Sequence, residues 1–436
     1  MRPATQACRD QRERVNTMHT TIRTGSHLAL ALFVLGLTGC AGHGQYTQAF
    51  RNEANQRMSE VKAGTQWDMA QQQFLSGDLE KALKTVDSSI AMAPNVAKSY
   101  LLRGRIMLEL GRLEPSLNSF DQAIKLDDKL TDAYFFKGVV LERYSEHQQA
   151  LECYTKAASL DRANAQYPIA AAEMLIQLGR LDEAKALLDP PADSQLPRYP
   201  HSAGVRQTLG HIAMIEHDAT KAITLFREAC TLAPDELFLV EDLARAQYAA
   251  KQFGDAEASL RRVLAKDDSM QRRDLRLLQA RCMIETERLS DARALLVKLT
   301  SGSAGEGDAD AWLQLGNVSL VLKDQTRLRE AGNHVIALSP QRYEGYLLLG
   351  LYQRNAGKLQ QAADLLAKSA QLSTDDPAPA ILAGLVNEQL GSTAVAKSNY
   401  ERALAISPTN ERAAMLLQKI NSGQNSAVAG APQTND

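Results

Sequence analysis

Apolar and polar positions along this chain follow a helical period that resets about every 34 residues, the length of a helical hairpin repeat. Between residues 134 and 160, YFFKGVVLERYSEHQQALECYTKAASL, apolar residues recur at three- and four-residue intervals in two runs separated by a polar stretch. That pattern predicts two short amphipathic helices joined by a turn. Tyr134, Gly138, Leu141, Ala150, Tyr154 and Ala157 make a large-small-large set within it. Small residues at Gly138 and Ala150 let two helices approach closely, and an aromatic at Tyr154 or Phe226 fills the space toward the next pair. The spacing returns about ten times, so the chain is one hairpin repeated and stacked.

In register, these positions resemble the tetratricopeptide repeat over about 63–410. The resemblance implies an all-α fold: a right-handed superhelical solenoid of about ten helical hairpins with a C-terminal capping helix. Residues 63–188 hold repeats one to four, 203–300 repeats five to seven and 309–410 repeats eight to ten, with 411–421 as the capping helix. Pro94, Pro234, Pro340 and Pro408 end second helices. Residues 189–202 carry four prolines, Pro190, Pro191, Pro197 and Pro200, and are expected to be an extended insertion, either a hinge, a partner contact or a tolerated loop. SGSAGEGD at 301–308 is expected to be a flexible linker, and 422–436 a disordered tail. In repeat eight Leu328 and Gly332 replace the usual small and large residues, which predicts a loosely packed second helix.

Composition fits close helix packing: 44% of the 436 residues are hydrophobic and only 5% aromatic. A formal net charge of −2 offers no basic excess for nucleic acid. The segment 1–39 reads as a signal peptide, with Met18 the better start. LALALFVLGL at 28–37 is too short to span a bilayer comfortably, and basic residues precede it. It runs into Leu37-Thr38-Gly39-Cys40, which resembles a bacterial lipobox. The resemblance implies cleavage before Cys40 and a diacylglyceryl group on its thiol. Ala41, a non-aspartate, implies sorting to the outer membrane. The competing reading is an ordinary signal peptide or N-terminal anchor that happens to precede a cysteine. Residues 40–62 then form a lipidated N-terminus and polar spacer. Cys153, Cys230 and Cys282 lack paired spacing and are expected to be buried thiols rather than a disulfide framework.

The family resemblance also implies that first helices line a concave groove, with the second, fifth, ninth and twelfth places of each repeat facing it. The ninth places are Arg105, Val139, Glu173, His211, Arg245, Arg281 and Asn317. Of these, Arg105, His211, Arg245, Arg281 and Asn317 are the candidate partner-binding residues, suited to a carboxylate, an acidic segment or an extended backbone. The alternative is a hydrated inner face. Fifth places Gln207, Glu241, Leu277 and Leu313 lack the Lys and Asn clamp of chaperone-binding relatives. An apolar set, Trp67, Phe74, Leu101 and Phe135, either greases the groove or packs hairpins together, and core is the commoner role.

Catalytic motifs are missing from the sequence: no phosphate-binding loop, no H-E-x-x-H and no nucleophile elbow. His211 and His217 fall on different helix faces, and Asp308 with Asp310 lacks the rest of a calcium loop. No cofactor is implied. The expectation is a non-catalytic, periplasm-facing scaffold that assists assembly of an envelope complex, of the pilus/secretin or exopolysaccharide-export type. An adaptor that recruits peptidoglycan hydrolases or proteases is the alternative, and an enzyme with an unrecognised site is a distant third. Partners would be envelope proteins, and the membrane through the lipid anchor.

Overall fold

The computed structural model describes residues 45–265 and 271–422. The expected signal peptide, the lipobox with Cys40 and the tail from 423 lie outside the described residues. Among the described residues the chain forms 22 helices and no strand. It divides into two compact units, 1–215 and 216–436.

In the first unit, α1 (Gln45–Ser76) pairs with α2 (Leu79–Met92), α3 (Ala97–Glu109) with α4 (Leu113–Leu126), α5 (Thr131–Arg143) with α6 (His147–Leu160), and α7 (Gln166–Gln177) with α8 (Leu181–Leu188). The unit closes with α9 (Ala203–Ile215), which packs on α7 and α8. α1 runs without a break across the expected spacer boundary at 62/63. Two side-chain bonds to α2 hold it there: Ser89 Oγ donates to the Ala63 carbonyl at 2.9 Å and Ser59 Oγ to the Met92 carbonyl at 3.3 Å.

The second unit opens with α10 (Ala219–Leu232), followed by α11 (Leu237–Ala249), α12 (Phe253–Leu264), α13 (Arg273–Glu285) and α14 (Leu289–Leu299). A five-residue helix α15 (Gly302–Glu306) comes next. Then come α16 (Ala309–Val321), α17 (Gln325–Leu338), α18 (Tyr343–Asn355), α19 (Leu359–Leu372), α20 (Ala378–Gln389), α21 (Thr393–Ile406) and α22 (Glu411–Asn421). The Gly/Ser stretch expected to be a flexible linker is therefore partly helical. Gly305 lies so close to the backbone of Leu299 and Thr300 that any side chain would collide with it, and Arg273 donates to both the Leu299 carbonyl (2.6 Å) and Asp308 (2.9 Å). α22 puts Leu416, Leu417 and Ile420 against the core around Ala380 and Tyr400.

The small-large rule takes a direct form inside the hairpins. A Cβ built on Gly138 would lie 2.6 Å from a ring atom of Tyr154, and one on Gly104 would lie 2.5 Å from Phe120. Both rings are fully enclosed. Tyr154 is also tied by its hydroxyl, which donates to Glu142 at 2.9 Å. Where the small position is Ser116, its hydroxyl is buried but donates to the Gly104 carbonyl at 2.7 Å, so the close approach leaves no orphan.

Repeat eight is packed, contrary to the loose second helix expected from Leu328 and Gly332. Leu328 is fully buried, and the glycine admits Leu349 of α18, whose Cγ would sit 2.7 Å from an added Cβ. Neighbouring Leu348 fills the space over Gly316 in the same way. The large residue has moved to the next hairpin, so the volume is conserved though the register pattern is not. The insertion 189–202 is anchored as well. Tyr199 donates to the Arg162 carbonyl at 3.0 Å, Arg162 donates to the Gln195 carbonyl, and Arg198 donates to the Pro190 carbonyl at 2.6 Å.

Of the cysteines Cys153, Cys230 and Cys282, only Cys282 is wholly buried; Cys153 and Cys230 are half-buried, on the partly covered flanks of their helices. All three are free thiols, and burial pushes the Cys282 thiol up to about 11.

The loops after α1, α3, α5, α7, α9, α11, α13, α16, α18 and α20 each hold one residue with positive φ. Five are glycine, such as Gly111, and five are Ser145, His217, Lys251, Glu287 and Lys323. The hydrogen bonds explain the requirement: Gly111 N–H reaches the Leu108 carbonyl (3.1 Å) and Arg112 N–H the Met107 carbonyl (2.8 Å), and Lys323 and Asp324 repeat the pattern on α16.

Two outcomes are expected. Gly138→Ala gains about 1 kcal/mol of helix propensity but forces a shift of a tethered ring at a cost of about 1–3 kcal/mol, so a net drop in the urea midpoint should follow. Lys323→Gly removes a left-handed strain of about 1–2 kcal/mol against an entropy cost of about 0.5–1 kcal/mol, so the midpoint should rise. Circular dichroism in urea checks both.

Candidate functional site

The expected groove residues fall into two groups, one in each unit. In the first unit, Arg105 on α3 is half-buried and its guanidinium carbon lies 5.1 Å from the centre of the Phe74 ring and 4.7 Å from that of Phe136. Its Nε is buried and has no hydrogen-bond partner. The flat, weakly hydrated guanidinium thus serves as a spacer between aromatic rings of neighbouring hairpins.

The apolar candidates are divided in the same way. Phe74 is buried in the core with Ala70, Ala82 and Leu102, and Trp67 packs at its edge while donating to the Lys98 carbonyl at 3.2 Å. Phe135 meets Phe136 (5.3 Å), Tyr154 (5.6 Å) and Tyr167 (5.5 Å). These three aromatics are packing residues. Leu101 and Ile169 remain half-exposed on α3 and α7.

Next along the same helices stand Glu142 on α5, Glu173 on α7 and the exposed His211 on α9. Glu142 is held by the Tyr154 hydroxyl. Burial pushes the Glu173 carboxyl up to about 7, the charge of Glu142 adds to the rise, and His211 opposes it. Val139, the other ninth-place residue here, is buried.

In the second unit part of the polar row is already paired within the chain. Arg245 on α11 is exposed and donates to Asp274 on α13 at 2.9 Å. Glu241, about one turn from the start of α11, is gripped by both terminal nitrogens of Arg272, which also lies 3.6 Å from Asp274. Charge therefore alternates Glu241, Arg272, Asp274, Arg245 across two hairpins, and this network holds the Arg272 guanidinium's proton more tightly than usual. Arg281 is half-buried with an unpartnered Nε, and Asn317 is exposed on α16. Leu277, one turn before Arg281 on α13, is half-buried, while Leu313 on α16 is buried. The structure brings Arg245 and Asp274 together, whereas Arg281 on α13 and Asn317 on α16 lie on separate helices. Arg272 was not among the expected residues; it precedes its helix and lies outside the repeat's groove places, so only its opposite sign to Glu241 hinted at the pair.

The aspartates that hinted at a calcium loop have structural partners. Asp308 caps α16 by accepting from Ala311 N–H (3.0 Å), and Asp310 accepts from Arg342 (2.8 Å). The described residues contain no group of three or more His, Cys, Asp or Glu placed to hold a metal ion.

Family models of the tetratricopeptide repeat match residues 97–130, 131–164 and 241–306. Those segments are tetratricopeptide repeats. The repeat is in general a non-catalytic, protein-binding fold. No curated protein matches the chain. Among solved structures it is similar to Pseudomonas aeruginosa pilF, at 22% identity and a TM-score of 0.40, over 47% of this chain and 90% of that one. It is also similar to the APC/C hetero-tetramer Cut9–Hcn1, at 14% and 0.43, over 86% and 94%. A third likeness is to YrrB, described as a TPR protein with an unusual peptide-binding site, at 17% and 0.33, over 42% and 94%.

The Glu173 environment gives a pH dependence. Its folded value of about 7 exceeds the free value, so the folded carboxyl keeps a proton that the unfolded one has released. Its contribution is fully present below pH of about 4.3 and is lost as pH rises through about 7, an effect of about 1–3 kcal/mol. Urea midpoints between pH 4.5 and 7.5 should slope downward in the parent through this term, and Glu173→Gln should flatten that slope; an unchanged slope places the proton elsewhere.

Proposed function

We propose that the chain is a non-catalytic scaffold, lipid-anchored at Cys40 and facing the periplasm from the outer membrane, whose repeats hold a protein partner during assembly of an envelope complex. The observation that carries this reading is the order of segments: an apolar run with basic residues before it, Leu37-Thr38-Gly39-Cys40, then an array of helical repeats. Each buried methylene of an acyl chain contributes about 0.8 kcal/mol, and stable anchoring takes at least two chains, which a diacylated cysteine supplies. A repeat array tethered in this way presents its surface close to the membrane, where export and pilus complexes are built.

The groove chemistry supports a protein partner rather than a small ligand. In each unit half-exposed apolar residues, Leu101 and Ile169 in the first and Leu277 in the second, alternate with polar groups on first helices, which suits an extended segment read through alternate side chains. Its charges are largely paired within the chain, so a free carboxylate clamp is not the expected mode.

Intact-mass measurement of the membrane-extracted protein beside Cys40→Ala tests the anchor. A lipid-sized increment on a chain starting at Cys40, lost in the variant, is the expected result, and an unmodified chain would remove the lipoprotein reading. Crosslinking of the same material should then capture an integral membrane barrel; soluble wall hydrolases in its place would favour the adaptor role.

A further inference from the structure

The first half of α1 carries a second apolar face that the hairpins do not use. At 100° per residue, Ala63, Trp67, Ala70 and Phe74 share the side that enters the core with α2. Phe50, Ala54, Met58 and Val61 fall on the opposite side. They are open to solvent, with Phe50 67%, Met58 57% and Val61 67% exposed. The four line one shallow surface together with Glu53 and Arg57. Beyond Val61 the same side turns polar at Thr65, Asp68 and Gln72, so most of the stripe, Phe50 to Met58, belongs to the part of α1 that projects past the end of α2 opposite Ser59.

Charge is sorted around the stripe. Arg51 and Lys62 border it on one side and Arg57 on the other, while Glu53 and Glu60 lie further round toward the hairpin side. Arg57 folds back on Glu53 at 2.6 Å. An apolar strip with basic borders is the pattern of a helix lying in a membrane interface, where the cations meet anionic headgroups. The same strip is a poor coiled-coil seam: a heptad run through Phe50 and Ala54 would place Arg57, Val61 and Gly64 at the next core positions, and of these only Val61 is a large apolar residue.

We propose that this stripe is the chain's bilayer-contact surface, an interfacial helix that continues the anchor at Cys40. The inference rests on the lipid-anchor reading above. Cys40 precedes Gln45 by five residues, which span at most about 18 Å, so acyl chains on Cys40 would hold the first turns of α1 at the headgroups. Because the core face points the opposite way, the helix would lie on the bilayer with the first hairpin on its far side.

The test uses the acylated full chain in vesicles of phosphatidylethanolamine and phosphatidylglycerol, with brominated lipid as quencher. Phe50→Trp places a fluorophore on the stripe and Gln56→Trp one on the hairpin side; the parent supplies the background from Trp67 and Trp312. Brominated lipid should lower the Phe50→Trp signal about twofold or more and leave the Gln56→Trp signal unchanged. An unquenched Phe50→Trp signal in a chain whose mass carries the lipid overturns the inference and leaves the anchor standing. A dimer with a shielded but unquenched Phe50→Trp signal assigns the stripe to a second copy and also overturns it. A chain without the lipid increment removes the anchor reading and this inference with it.

Discussion

Everything in this structure depends on how closely two helices of a hairpin can approach. Where Gly138 faces Tyr154, or Gly104 faces Phe120, the ring occupies the volume that a methyl group would need. That contact sets the interhelical distance, and the distance decides which side chains of the next hairpin are enclosed. Tyr154 shows the coupling: the ring that fills the Gly138 notch also touches Phe135 at 5.6 Å and ties down Glu142 by its hydroxyl. One packing contact therefore fixes an aromatic cluster and positions a carboxylate on the candidate binding face.

The constraint is on volume, not on residue identity at a given place. Repeat eight breaks the expected order with Leu328 and Gly332, yet Leu348 and Leu349 from the following hairpin enter the two glycine notches. Lys323 and Glu287 stand in left-handed turns where glycine is the easy choice. Dense packing on both sides of each turn compensates for the local strain.

The hairpins were legible because their signal lies within about 34 residues and recurs. The small-large positions, the turns and the capping segment are all local patterns. Much of the candidate site was not legible, because its partners come from the neighbouring repeat. Arg245 finds Asp274, and Glu241 finds Arg272, at separations of 29 and 31 residues. Which of several charges one repeat away makes the bond depends on rotamers that no spacing rule encodes. Arg105 is a sharper case. Its place in the repeat marks it as a polar groove residue, and the deciding fact is that Phe74 and Phe136 happen to flank it. The signal for the second face of α1 was present in the sequence, but it was masked there by the polar average of the segment.

The paired charges bear on how a partner is recognised. Arg245 and Asp274 are both about half exposed, and exposed ion pairs contribute only about 0–1 kcal/mol. Exchanging such a pair for contacts with a partner therefore costs little, but it gains little too. Glu241 is more covered than Arg272 and is bound by both guanidinium nitrogens, so it resists exchange and keeps α11 and α13 in register. Within the second unit, the affinity of the proposed partner would come chiefly from apolar positions such as Leu277, with the exchangeable charges setting approach rate and orientation. On that unit, removing Leu277 should act on dissociation, whereas removing Arg245 should act on the salt dependence of association.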